Sequence, residues 1–438
     1  MNTLEFLAAP GGVLSGRLRV PGDKSISHRS IMLGALAEGV TRVSGFLEGE
    51  DCLCTLRAFR AMGVTIEGPE AGRVSITGVG LHGLKRPANA LDLGNSGTSM
   101  RLMAGLLAGQ IFATELVGDA SLSKRPMRRV TEPLARMGAR IETALNGTPP
   151  LRIGGGAGLA GFEYVMPVAS AQVKSCLLLA GLYADGDTCV VEPAPTRDHT
   201  ERMLAGLGYP VRRDGNRICL SGGGRLIATD IDVPADISSA AFFLVGASIA
   251  PGSDLVLEHV GINPTRTGVI DILRLMGADI TVLNERMVGG EPVADLRVRA
   301  APLHGIDIPE ALVPLAIDEF PALFIAAACA DGVTCLTGAE ELRVKESDRI
   351  QVMADGLRAC AIVAEPRPDG IVIDGGRLSG ATVESHGDHR IAMAFTMAAL
   401  QARGAIRIRD CRNVDTSFPG FVASANAVGA ALTAEVGS

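Results

Sequence analysis

Residues 91–109, LDLGNSGTSMRLMAGLLAG, decide how the rest of the chain is read. Gly94, Asn95, Ser96 and Gly97 form a turn-rich lead-in, and from Thr98 the residues become an almost wholly apolar run ending at Gly109. That is the pattern of a loop feeding a buried helix. The start of such a helix carries unpartnered backbone N–H groups and the positive end of its dipole, here at Gly97 and Thr98, with Arg101 about one turn further on. An anion fits such a position. A plainly capped helix has the same local sequence, so the argument depends on repetition.

The pattern recurs. Six segments share a polar lead-in, an apolar small-residue helix and a closing Gly: HRSIMLGALAEG from His28, TSMRLMAGLLAG from Thr98, SAQVKSCLLLAGLYADG from Ser170, DISSAAFFLVGASIAPG from Asp236, DEFPALFIAAACADG from Asp318 and DHRIAMAFTMAALQARG from Asp388. Their closing glycines fall at 39, 109, 186, 252, 332 and 404, a period of about seventy residues. Between them lie amphipathic segments that end in Met-Gly or Leu-Gly, such as LRAFRAMGVTI to Ile66, VTEPLARMGARI to Ile141, TERMLAGLGYPV to Val211 and VIDILRLMGADI to Ile280. Fainter copies run through 349–363 and 421–429. Short β-rich pieces at 73–77, 151–153, 217–220, 295–298, 370–373 and 405–408 fill the gaps. Each unit reads strand, helix, strand, helix, strand, strand. A helix apolar all round must be surrounded, so the first helix type belongs to the core and the amphipathic type to the surface. A solenoid is the competing architecture, but its repeats are usually shorter and simpler. Six such units divide three and three near Pro234, and the first twenty residues, too short for a unit, are left to complete the other domain.

The chain has 438 residues, 47% of them hydrophobic, enough for large buried cores. Its apolar runs break before the roughly 18 residues a membrane span needs, and its start lacks the basic region of a signal peptide. A soluble cytoplasmic protein is expected. The nine cysteines have no metal-binding spacing and read as reduced core residues. A net charge of −7 and only 15 aromatic residues, none of them Trp, argue against nucleic-acid binding. An anionic substrate therefore needs a local basic pocket.

Such a pocket is suggested by where the polar residues fall. Lys24, Ser25 and Arg29 surround the start of the first buried helix; Asn95, Gly97, Thr98 and Arg101 that of the second; Ser170 and Gln172 that of the third. Asp318 and Glu319 open the fifth, and Asp388, His389 and Arg390 the sixth. Ser, Asp and Asn are explained as caps without any ligand. Lys24, Arg29, Arg101 and Arg390 are not, because each cation at a helix N-terminus opposes the dipole by roughly 0.3–1 kcal/mol. An anion removes that conflict. Two further charged stretches stand out. SLSKRPMRR at 121–129 is a basic loop or a solvated one, and LRVKESDR at 342–349 places Lys345 and Arg349 four apart on one helical face with Glu346 beside them. Asp318 supplies a second carboxylate for proton transfer.

PGDKSISHR at 21–29, LGNSGTSMR at 93–101, KRPM at 124–127, SAQVKS at 170–175, DEFP at 318–321, KESDR at 345–349 and DHRIAM at 388–393 resemble, in order, the signatures of the 5-enolpyruvylshikimate-3-phosphate synthases. The resemblance covers nearly the whole chain. It implies an α/β (α+β) fold: a two-domain inside-out α/β barrel, each domain three βαβαββ repeats around buried helices. The domains are 21–235 and 1–20 with 236–438, and the active site lies in a cleft between them that closes on substrate. Lys24, Ser25, Arg29, Ser170, Gln172, Arg197, Asp318 and Lys345 are then expected to hold shikimate 3-phosphate, and Lys24, Asn95, Gly97, Arg125, Gln172, Arg349 and Arg390 phosphoenolpyruvate. The family adds the shikimate 5-hydroxyl to the enol carbon and then expels phosphate. Asp318 corresponds to the group taking the hydroxyl proton and Glu346 to the one protonating the methylene, with Lys24 and Lys345 assisting. No cofactor, metal, nucleic acid or membrane is implied; the partners are the two small substrates, and a monomer is expected. The inhibitor glyphosate competes with phosphoenolpyruvate in this family. One departure is plain: many members carry a Lys shortly before the Phe-Pro near the C-terminus, and residues 414–419, VDTSFP, have none.

The nearest rival is the sister enolpyruvyl transferase acting on UDP-N-acetylglucosamine, which usually has a Cys in its active-site lid. Residues 118–127 contain no Cys. RNA 3'-phosphate cyclase, a more remote relative, is disfavoured by the acidic charge and by the lack of a phosphate-binding Gly-Lys-Ser/Thr loop. A non-catalytic repeat scaffold has no need of Asp318 and Glu346 beside an anion pocket.

Overall fold

All six apolar runs are helices, and five begin directly after a side chain that caps them. In the computed structural model, which describes residues 4–436, these helices are Lys24–Leu36, Gly97–Ala108, Ala171–Gly181, Ile237–Ile249, Phe320–Ala328 and His389–Ala398. The caps are Asp23, Ser96, Ser170, Asp236 and Asp388, each accepting from a backbone N–H of the first turn. Because Asp23 is the cap, the first helix starts a turn earlier than expected from His28, and Lys24 and Ser25 lie inside it. The fifth starts later. Pro321 occupies its first turn, where a missing N–H costs nothing. Asp318 and Glu319 therefore sit in the turn between this helix and the short helix Val313–Ala316.

The amphipathic runs are the helices Glu50–Ala61, Arg128–Arg136, His199–Gly206, Gly268–Leu275, Arg349–Ala359 and Phe421–Ala427. One expectation fails here. Lys345 and Arg349 do not share a helical face, because the 3-10 helix Glu340–Val344 ends before Lys345 and Asp348 caps a new helix starting at Arg349.

The strands explain why the repeat closes. Leu91–Asp92 and Thr114–Val117 are parallel, as expected when a buried helix connects them, while Ile141–Glu142 and Leu151–Ile153 form a hairpin that adds antiparallel through Leu151–Ile153. The resulting spatial order is first, second, fourth, third. The sheet built from Glu163–Val165, Asp187–Val191, Arg212–Asp214 and Arg217–Ser221 repeats it. Elsewhere the missing strand comes from a distant part of the chain. Ile231–Asp232 pairs in parallel with Glu38–Ser44, and Ser15–Leu18 with Asp254–Gly261. Leu4–Ala8 fits antiparallel between Ile406–Arg409 and Leu432–Val436, with Phe6 opposite both Ile408 and Ala434.

Among the described residues, the chain forms two compact units: 4–21 with 234–287 and 292–436, and 22–233 with 288–291. Each has its own apolar core, built on its three buried helices. In the 22–233 unit, Gly105 lets the helices Gly97–Ala108 and Ala171–Gly181 approach so closely that a Cβ there would lie 2.0 Å from the Cys176 carbonyl oxygen. All thirteen residues of Ile237–Ile249 are buried in the other unit, as its unbroken apolar sequence requires.

The cysteines need a correction. Cys189 and Cys219 are bonded to each other and are not both reduced. They stand directly opposite on antiparallel strands with their Cα atoms 4.1 Å apart, a closeness that sequence spacing does not reveal. The other seven form no disulfide.

Candidate active site

In the 22–233 unit, the start of the Lys24–Leu36 helix gathers cations that its own dipole disfavours. Lys24 Nζ lies 3.2 Å from Asp51 Oδ2 of the Glu50–Ala61 helix. Arg29 is 4% exposed, and its guanidinium is fixed on three sides. Nε donates to Thr200 Oγ1 at 2.7 Å, Nη1 to the Ser25 carbonyl at 2.9 Å and Nη2 to Ser175 Oγ at 2.9 Å. Burial draws the Arg29 pKa down to about 10, with Arg197 adding to the effect and Glu201 and Asp23 opposing it. A buried cation beside a second cation is ready for an anion.

The Gly97–Ala108 helix opens onto a second group. Gln172 Oε1 accepts from Arg101 at 2.8 Å and from Arg129 at 3.3 Å, while its Nε2 donates to Thr98 Oγ1 at 3.1 Å. Gln172 thus ties the start of the third buried helix to that of the second. Arg125 donates to Asn95 Oδ1 at 2.6 Å, and Asn95 Nδ2 donates to Asp119 at 2.8 Å. The basic loop is therefore not simply solvated. A Cβ on Gly97 would lie 2.9 Å from Arg101 Nη1 and 3.2 Å from Arg125 Nη1, so only a glycine lets both guanidinium groups come this close to the helix start. Ser170 Oγ caps its helix through Val173 N at 3.4 Å.

The other unit joins Asp318, Lys345, Glu346, Arg349 and Arg390. Arg349 is 1% exposed and is the hub. Its Nε donates to Asp388 Oδ2 at 2.8 Å, Nη2 to Glu346 Oε2 at 2.7 Å and Nη1 to Asp318 Oδ1 at 3.4 Å. Burial works against this guanidinium, but Asp388, Glu346 and Asp318 outweigh it and raise its pKa. Burial likewise works against the Asp388 carboxylate, and Arg349 overcomes it, leaving its pKa lowered. Lys345 Nζ lies 3.3 Å from Asp318 and 3.0 Å from Glu341. Arg390 Nη1 donates to the Asp318 carbonyl at 3.1 Å. Lys345 and Arg349 thus meet through Asp318, not along a helix. Two carboxylates, Asp318 and Glu346, and three cations share one neighbourhood, residue types that can serve general acid–base work on an anion.

Several partners escaped the sequence reading. Asp388 was legible only as a cap, yet it anchors Arg349. Arg101 stood out as a cation, but not as the holder of Gln172. Asp51 looks like any acid in a first helical turn. Arg266 gave no signal: it lies 3.2 Å from Asp236 and 2.7 Å from Ser238 Oγ, which itself bonds Glu319. The chain's own side chains occupy that helix start. Where the family often has a Lys, residues Arg412–Thr416 form a 3-10 helix whose Asn413 donates to the Gly387 carbonyl at 2.8 Å.

Repeated α/β units with cations at the buried-helix starts, and two carboxylates set among cations in one cluster, are the features expected of an enzyme, and the fold is that of the enolpyruvyl transferases. The enolpyruvyl transferase NikO from Streptomyces tendae is similar in fold, with a TM-score of 0.81 over 100% of both chains at 16% identity. The sequence pattern described as EPSP synthase (3-phosphoshikimate 1-carboxyvinyltransferase) matches residues 8–424, and the chain belongs to that family. The 3-phosphoshikimate 1-carboxyvinyltransferase of Alkalilimnicola ehrlichii is 73% identical over 98% of this chain and 97% of that protein. That of Methylococcus capsulatus is 72% identical over 97% of each. The solved EPSP synthase of Acinetobacter baumannii has a TM-score of 0.90 at 60% identity, covering 99% of this chain and 100% of that one.

Proposed function

We propose that this chain transfers the enolpyruvyl group of phosphoenolpyruvate to the 5-hydroxyl of shikimate 3-phosphate, a step of aromatic biosynthesis. The observation that carries the reading is the Asp318–Lys345–Glu346–Arg349 cluster, two carboxylates set among cations, in a chain of the EPSP synthase family. In this reading Asp318 takes the proton of the attacking hydroxyl as its oxygen bonds to the enol carbon, and Glu346 gives a proton to the methylene, making it a methyl group. In the second step the C–O bond to phosphate breaks, the methyl returns a proton to Glu346, and phosphate leaves with the proton held at Asp318. Lys24 and Lys345 assist by neutralising charge at the reacting centre.

Shikimate 3-phosphate is assigned to Lys24, Ser25, Arg29, Ser170, Gln172 and Arg197, with Asp318 and Lys345 at the reacting hydroxyl. Phosphoenolpyruvate is assigned to Lys24, Asn95, Gly97, Arg125, Gln172, Arg349 and Arg390. The desolvated Arg29 and the Arg101- and Arg125-flanked turn at Gly97 support anion sites in these places. Arg349 already meets three carboxylates, so an anion reaching it shares the guanidinium with them. Each unit is read as an inside-out α/β barrel, its three buried helices enclosed by its sheets. Phosphate release measured with both substrates, and with each omitted in turn, tests the function. Release is expected only with both, and release with UDP-N-acetylglucosamine replacing shikimate 3-phosphate would overturn it.

A further inference from the structure

Lys174 follows Gln172 by two residues and is not among the residues assigned to either substrate. Its side chain and that of Glu192 are both 0% exposed. Lys174 Nζ lies 3.0 Å from Glu192 Oε2 and 2.7 Å from Glu201 Oε1, and it donates to the Thr196 carbonyl at 3.4 Å. Thr196 Oγ1 donates to the same Glu192 oxygen at 2.7 Å. One ammonium therefore grips the loop that follows the strand Asp187–Val191 at its first residue, again just before Arg197, and beyond its end in the first turn of His199–Gly206. Burying three charges in this way is not favourable for stability compared with apolar packing, so a positional purpose is the better explanation.

The neighbouring contacts indicate that purpose. Ser175, next to Lys174, and Thr200, next to Glu201, bond each other at 2.8 Å and both accept from Arg29. The first turns of the two helices interleave, with Lys174 meeting Glu201 and Ser175 meeting Thr200. Glu201 and Arg197 act on the Arg29 guanidinium in opposite senses, the carboxylate raising its pKa and the cation lowering it. Arg29 holds Thr200, the neighbour of Glu201 in the first turn of His199–Gly206, and Arg197 lies two residues before that helix, so the placement of this turn and its lead-in bears on the Arg29 guanidinium.

We propose that Lys174 is a positioning residue for the shikimate 3-phosphate subsite. It fixes the 192–198 loop so that Arg197 stands near Arg29, and it engages Glu201 so that this carboxylate does not claim Arg29 in place of the substrate's phosphate. The inference rests on the assignment of Arg29 and Arg197 to that phosphate. Without the ammonium, Glu192 keeps Arg213, whose Nη2 lies 3.2 Å away, but Glu201 is left to Arg29.

The test is steady-state kinetics of Lys174→Met with each substrate varied against saturating amounts of the other, alongside thermal unfolding. The KM for shikimate 3-phosphate is expected to rise roughly tenfold or more while that for phosphoenolpyruvate stays within about twofold. Adding Glu201→Gln to Lys174→Met is expected to recover the part of the loss that comes from the competing carboxylate, leaving the part that comes from the loosened 192–198 loop; a purely structural role predicts no recovery. If Lys174→Met does not fold, Thr196→Val, which frees the loop from Glu192 while keeping both Lys174 ion pairs, is expected to raise the same KM about threefold. An equal rise in both KM values, an unchanged KM for shikimate 3-phosphate in a folded variant, or no recovery in the double variant overturns the proposal. Wild-type enzyme that does not turn over these substrates overturns the assigned function instead, so the two failures are distinguishable.

Discussion

Glu346 carries the sharpest consequence at the scale of single residues. Glu346→Gln keeps the shape and a hydrogen-bonding group but removes the ionisable proton, and Arg349 remains held by Asp388 and Asp318. Turnover is expected to fall roughly 10²- to 10⁴-fold with little change in KM, the range for a positioned general acid. Near-normal turnover in a stopped assay of phosphate release assigns the acid to another group. Gly97 tests space. A methyl added there meets the guanidinium tips of Arg101 and Arg125, which are flexible, so the site adapts to the smaller ligand by shifting them a few tenths of an ångström. If the assigned site is right, glyphosate, longer than phosphoenolpyruvate, lacks that room. For Gly97→Ala the inhibition constant is expected to rise far more than the KM for phosphoenolpyruvate. Equal rises mean that displacement of the two arginines, and not the length of the ligand, governs both. The missing Lys before Thr416 bears on the wild type, since an insensitive wild type points first to that cation.

At the scale of elements, a buried histidine ties three helices together. His28 Nδ1 lies 2.8 Å from Thr55 Oγ1, and Thr55 is 2.6 Å from Ser99 Oγ, joining Lys24–Leu36, Glu50–Ala61 and Gly97–Ala108. Burial first, then Lys24 and Arg29, hold its pKa well below the ordinary 6.5. The unfolded chain therefore takes up a proton near pH 6.5 that the folded one refuses. The His28 contribution to stability is flat above that pH and falls below it, by at most about 1.4 kcal/mol per pH unit for one proton. Denaturant midpoints measured between pH 7 and 5 are expected to fall for the wild type and to fall less steeply for His28→Gln. Parallel slopes would place the proton elsewhere. None of this network was legible beyond the motif, although the helices themselves were. Six unbroken apolar runs ending in Gly can be little else, whereas helix starts depend on which residue caps, and Asp23 and Pro321 moved two of them. Lys345 and Arg349 were joined too literally by spacing, because Asp348 breaks the helix that spacing assumed. Cross-strand neighbours such as Cys189 and Cys219, and buried pairs such as Lys174 with Glu192, depend on register and on loops that local pattern does not encode.

The whole molecule is a chain whose sheets are completed by distant strands and whose proposed anion-binding residues come from distant repeats. Neither the closure of a sheet by Leu4–Ala8 nor that by Ile231–Asp232 can be read locally, since each strand is short and pairs with residues remote in sequence. The cations assigned to phosphoenolpyruvate are distributed in the same way, Lys24 and Arg125 in the 22–233 unit and Arg349 and Arg390 in the other. A ligand that draws on both sets must stabilise both units, because whatever binds only the folded form lowers the population of every opening that breaks the site. Amide hydrogen exchange is the direct measure. With shikimate 3-phosphate present and turnover slowed by Glu346→Gln, phosphoenolpyruvate in large excess is expected to slow exchange in the first turns of Gly97–Ala108 and of both Arg349–Ala359 and His389–Ala398. The slowing should follow one ligand concentration dependence in all three. Phosphoenolpyruvate that protects the Gly97 helix while leaving the Arg349 and His389 helices unchanged would remove Arg349 and Arg390 from its ligands. Arg349 would then be an internal anchor for Asp318, Glu346 and Asp388, a role its three ion pairs already fill without any substrate.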